Sequence, residues 1–142
     1  DDLIKVLAER FEALVFNITS LVGLVAIIQD EKKVMPKHLM AAQAYIAHQC
    51  SGEEAMKKVQ GGQEDAMDGG GVDDCSGMDM RTMVHSVLAF HDMKIGKGAM
   101  KGILRIMNSH LVCLLKDIRA NEPLTLNRLD RILSMRRYAV FH

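Results

Sequence analysis

From Ile4 to Ile28 apolar side chains recur at alternating steps of three and four: Ile4, Leu7, Phe11, Leu14, Ile18, Leu21, Val25 and Ile28. That period marks one face of a helix, here of roughly 28 residues and about 42 Å at 1.5 Å per residue. Asp1 and Asp2 suit its start, where carboxylates meet the positive end of the helix dipole. A second stripe, Met100, Ile103, Met107, Leu111, Leu114 and Ile118, predicts another long helix from about Ala99 to Ala120. A long helix with a small helix at either end cannot bury its own apolar stripe, so each rod needs a twin. Two such units crossing at their long helices supply each other's core.

The shorter elements follow from breakers and caps. After the charged loop "DEKKV", Pro36 opens the helix "PKHLMAAQAYIAHQC". In the second half Met83, Val84, Val87, Leu88 and His91 mark a short helix from about Met80 to His91, and the loop "DMKIGKG" leads into the second rod. Pro123 stops that rod, and Thr125 caps a last short helix through Leu126, Leu129, Ile132 and Leu133. No segment alternates with period two for long enough to make a strand. The expected class is therefore all-α, in two units of a long central helix flanked by short ones. The first unit, residues 1–50, lacks its opening helix; the second, 80–135, is complete. Residues 51–79, with "GGQEDAMDGGGVDDCSG", hold seven of the eleven glycines and read as an acidic linker, spanning about 30 Å if it behaves as a random coil. Residues 136–142 place Arg136 and Arg137 before Tyr138 and Phe141, a segment suited to docking on another subunit or to DNA.

Several classes of protein are disfavoured. The run from Ala13 to Ile28 has 16 residues broken only by Asn17, Thr19, Ser20 and Gly23, short of the roughly 20 a membrane span needs. Charges flank it closely, so a helix buried in protein is expected and no membrane partner. Three cysteines, Cys50, Cys75 and Cys113, cannot all pair and read as reduced thiols of an intracellular protein, with Cys113 a small buried hydrophobe. No secretory pattern is visible at the N-terminus, and the chain does not begin with Met, as a fragment or processed product would not. "GKGAMKG" lacks the G-x-x-x-x-G-K-[ST] spacing of a phosphate-binding loop. His48, Cys50, Cys75 and His85 match no common zinc spacing, and the eleven methionines read as core filler. No catalytic residue, metal or cofactor is expected, and the protein reads as a non-enzyme.

Net charge is zero but unevenly spread. Residues 1–50 carry −1, residues 51–80 carry −6 and residues 81–142 carry +7. A basic C-terminal portion on an acidic connector favours a polyanionic partner.

The second half, "KIGKGAMKGILRIMNSHLVCLLKDI" followed by "LTLNRLDRIL", resembles the first loop, central helix, second loop and third helix of a core histone. It is nearest to the type found in the outer dimers of the nucleosome. In the first half "KKVMPKHLMAAQAYI" resembles the second loop and third helix of the same family. The whole layout is similar to fused histone doublets of some large DNA viruses. The neutral charge, the missing first helix and the lack of a basic tail depart from a typical core histone.

The resemblance implies a handshake in which the long helices lie antiparallel, so that the first loop of one half meets the second loop of the other. Lys94, Lys97 and Lys101 would then join Lys32, Lys33 and Lys37 near two helix starts, where free N–H groups favour anions. Arg81 is a further candidate for phosphate; Arg128 and Arg131, beyond the acid-containing loop "NEPLT", are weaker ones. Gly96 and Gly98 serve either loop geometry or close approach to a phosphate. The function expected is DNA compaction through backbone contacts, with double-stranded DNA and other histone-fold chains as partners in a larger nucleosome-like oligomer, in the nucleus or a virion. A histone-fold assembly module that joins proteins without touching DNA is the alternative.

Overall fold

Along α1 (Asp2–Ile28) the residues that reach the core are Leu14, Val15, Ile18, Thr19, Val22, Gly23 and Ala26, one face at helical spacing. The computed structural model describes residues 2–51 and 77–142, and every other helix but that at Leu126–Leu133 is built against this one. The buried face is rotated from the stripe of large apolar residues. Ile4 and Ile28, expected in the core, are exposed, whereas Gly23 and Ala26 are inside. Size explains the rotation. A β-carbon on Gly23 would already stand 3.4 Å from both Leu88 and Met93, so small residues mark where another element lies closest.

Order along the chain is α1, β1 (Lys33–Val34), α2 (Pro36–Ser51), α3 (Gly77–Phe90), β2 (Lys94–Ile95), α4 (Ala99–Ala120), α5 (Leu126–Leu133) and a 3-10 helix (Arg136–Phe141). The chain is thus mostly helical, with the second rod at the expected bounds and Thr125 capping α5 by accepting the Arg128 N–H. Two differences concern boundaries. α3 begins at Gly77 and α2 ends at Ser51, inside the stretch read as linker; the rest of that stretch lies outside the described residues. The two strands, missed because two residues cannot show an alternation, pair in parallel with Lys33 opposite Lys94 and Val34 opposite Ile95.

Both α1 and α3 end in the same way. Asp30 and Asp92 adopt left-handed backbone, φ 59 and 57. Behind each, paired N–H groups return to the last turn: Asp30 to Ile27 and Glu31 to Ala26, Asp92 to Ala89 and Met93 to Leu88. This is the Schellman closure with aspartate where glycine is usual. It turns each chain sharply into its strand, so the loops after α1 and after α3 arrive side by side.

The 3-10 helix folds back on the first half of the chain. Tyr138, Val140 and Phe141 are buried against α1 and α2. Asn17 Nδ2 donates to the Val140 carbonyl at 2.8 Å and Arg136 Nε to that of Gln49 at 2.8 Å. The Tyr138 hydroxyl meets the Asp117 carboxylate and lies 3.0 Å from the Cys113 carbonyl, and burial, then Asp117, hold the phenol above its usual pKa. The expectation of a segment docking on another subunit or on DNA is thus corrected: it docks on α1 and α2 of its own chain, because its aromatic and aliphatic side chains complete that core. Because Arg10 in the N-terminal half of α1 and the C-terminal half of α4 both bond this segment, while β1 after α1 pairs with β2 before α4, the two rods run in opposite directions.

By length and composition α1 could cross a membrane, with mean hydropathy 2.1 in its most apolar window. Here it packs on α2, α3, α4 and the 3-10 helix. Cys113, expected inside, is exposed, since its neighbour Leu114 takes the buried direction.

Candidate anion-binding loops

The parallel pairing of β1 with β2 sets the site. The Lys94 N–H donates to the Lys32 carbonyl at 3.1 Å and the Gly96 N–H to that of Val34 at 2.7 Å. Lysines 61 positions apart in sequence, Lys33 and Lys94, are thereby cross-strand partners. Lys32, Lys33 and Lys94 line a concavity of about 530 Å³ together with Glu31, Met35 and Asp92. Lys97 lies in the turn before α4 and Lys101 in its first turn, both exposed. Gly98, at φ 84, caps α4 with no side-chain bond to the first N–H groups, which leaves that helix start electropositive.

Glycine here answers to packing. A β-carbon on Gly96 would meet Met35 Sδ at 2.2 Å and the Val34 carbonyl oxygen at 2.9 Å, so the residue lets the two loops touch. Gly98 answers to its positive φ.

The six loop lysines are not equivalent. Lys37 donates to Glu31 Oε1 at 2.7 Å, and the other Glu31 oxygen meets His38 Nε2. His38, fully buried, accepts the Met35 N–H on Nδ1 at 2.8 Å, so its proton sits on Nε2 and points at Glu31. The Lys37 hydrogen bond, helped by His38, holds the Glu31 carboxyl below its ordinary pKa against a smaller opposing effect of burial. Lys37 is therefore a structural partner that fastens the start of α2, while the other five lysines have no carboxylate partner among the described residues. Asp30, Glu31 and Asp92 bring the local charge of the loop cluster to +3.

Arg81 is not brought to this cluster. It is exposed on α3, nine positions before Phe90 and so about 14 Å back along the helix axis. At the other end Arg128 donates to the carbonyls of Asn121 and Pro123, closing its own loop, and Arg137 lies 3.6 Å from Asp117. The acids at this site escaped the sequence reading. Two identical turn residues, each two or three positions before a strand that opens with lysine, are the signal that could have found Asp30 and Asp92.

No group of three His, Cys, Asp or Glu side chains converges among the described residues; Cys75 lies outside them. No family model, curated protein or solved structure matches the chain.

Proposed function

We propose that the chain is a non-enzymatic histone-fold doublet that binds the backbone of double-stranded DNA, without reading sequence, as part of a nucleosome-like particle with other histone-fold chains. One observation carries the reading: two oppositely directed rods whose paired loops set Lys32, Lys33 and Lys94 around one concavity, with Lys97 and Lys101 following at an uncapped helix start. Fixed cations beside free helix N–H groups suit phosphate oxygens. The flanking acids temper the site and favour moderate affinity.

Filter binding to duplex DNA across a salt series tests this. Five unpaired lysines give a slope of about −4.5 in log K against log salt, so raising salt from about 50 to 200 mM weakens binding roughly 500-fold. Replacing Lys33 and Lys94 by Gln lowers that slope by about 2. No binding at about 50 mM salt overturns the proposal.

The second reading, an assembly module that leaves DNA alone, is favoured by the zero net charge and by the neutralisation of Lys37. Glu in place of Lys32, Lys33, Lys94 and Lys97 separates the two. Assembly survives under both; DNA binding exists to be lost only under the first.

A further inference from the structure

A second concavity, of about 290 Å³, opens where α1, α2 and the 3-10 helix meet, and none of its lining residues lines the lysine concavity. Leu21, Tyr45, Ile46 and Val140 form its apolar walls, and Asn17, Gln49 and His142 its polar part. Leu24 and Ile28 continue the Leu21 face of α1 and are 51% and 75% exposed, and Tyr45 is 57% exposed. The apolar strip therefore runs beyond the groove along the helix.

Two arginines stand at its edge. Arg136 holds the Gln49 carbonyl at the rim, and Arg10, seven positions before Asn17 on the same helical face, reaches the Phe141 carbonyl at 3.4 Å. Neither arginine has a carboxylate partner among the described residues, in contrast to Arg137, which faces Asp117. No carboxylate side chain lines the groove. On α1 itself Glu9 lies about 100° and Glu12 about 160° round the axis from Arg10. A groove of about 290 Å³ with mixed apolar and polar lining is too small for a duplex, but it accepts the side chains of a peptide, and the arginines select acids beside them.

We propose that this groove docks an acidic amphipathic segment of another protein, with aliphatic or aromatic side chains against Leu21, Tyr45 and Val140 and carboxylates on Arg10 and Arg136. The surface is separate from the loop lysines, so a partner bound there leaves the DNA-facing end open.

Fluorescence anisotropy of the full chain with a labelled peptide of Asp and Glu alternating with Leu and Phe tests it, at about 150 mM salt to screen loose attraction. The acidic peptide binds saturably; the same peptide with Lys for each acid does not. Arg10→Gln with Arg136→Gln weakens binding by about tenfold. Tyr45→Asp abolishes it, and because Tyr45 makes no hydrogen bond among the described residues, that variant carries the test if the arginine pair fails to fold. Lys33→Gln with Lys94→Gln leaves binding unchanged. Equal binding of the lysine peptide, loss with the lysine variant, or insensitivity to Tyr45→Asp each overturns the proposal. So does self-association in light scattering that Tyr45→Asp disrupts, which gives the groove to a second copy.

Discussion

Gly102 offers the sharpest test of how the two halves meet. It sits in the first turns of α4, where an alanine would ordinarily add up to about 1 kcal/mol of helix propensity. A β-carbon there, however, would stand 2.3 Å from Leu39 Cδ1 on α2, and Leu39 is itself buried. Carbon atoms rest at about 3.5–4.0 Å, so more than 1 Å must be found by moving a side chain packed on all sides. Overpacking of that kind costs about 1–3 kcal/mol, which leaves Gly102→Ala neutral to about 2 kcal/mol destabilising. Leu39→Ala alone costs about 2–5 kcal/mol through lost burial and the cavity left behind. In that background the obstacle is gone and Gly102→Ala regains its propensity, so the pair couples by about 1–3 kcal/mol. Urea unfolding followed by circular dichroism, on all four proteins at two concentrations, measures the cycle. A gain of about 1 kcal/mol from Gly102→Ala with Leu39 intact, or no coupling, would refute close packing of α2 on α4. Coupling independent of concentration assigns the contact to a single chain.

Tyr138→Phe removes a buried hydroxyl bonded to a carboxylate and is expected to cost about 1.5–3 kcal/mol in the same unfolding assay, with Phe141 packing retained. His110, half-buried on α4, is held by burial at a pKa of about 4, below its ordinary 6.5. The unfolded chain therefore takes up the proton first, and stability falls as pH drops from about 6.5 towards 4, by at most about 3 kcal/mol. His110→Gln, compared with the parent at both pH values, should remove most of that loss while leaving the neutral-pH stability change constant. Glycine in place of Asp30 and Asp92 relieves left-handed backbone, gaining up to about 1 kcal/mol at each site. The same change removes two negative charges beside the lysines, so DNA affinity should rise; a fall in filter binding would mean the acids contribute to the site.

What could be read in the chain beforehand divides along physical lines. Rods, caps and breakers are local, and Pro36, Thr125 and the bounds of α4 came out as the periodicity and cap residues indicate. The meeting of residues 32–37 with 94–101 was also legible, as a consequence of the antiparallel rods that the histone resemblance implies. Three features were not. The buried face of α1 follows small residues at close contacts, which a count of large apolar ones overlooks. The role of Lys37 depends on Glu31, six positions away across a turn whose shape comes from Asp30. The docking of Tyr138 to Phe141 on α1 spans more than a hundred positions, and nothing local in a short basic-aromatic segment indicates which surface will receive it.

A chain of zero net charge is a poor candidate for a polyanion by composition alone, yet charge acts over about a Debye length of 8–10 Å, so what matters is the local sum. Opposed rods perform that sum here. The end of α1 must meet the start of α4, whatever the distance along the chain, and the two lysine-bearing strands must then lie side by side. The same crossing sends the other ends of the rods to the 3-10 helix, where Arg10 and Arg136 stand beside a groove of mixed lining. One packing decision thus brings cations to two surfaces, the paired loops at the helix starts and the edge of the groove beside the 3-10 helix. Since both depend on the same core, a variant that loses both has lost the fold, and only one that loses a single surface speaks to function.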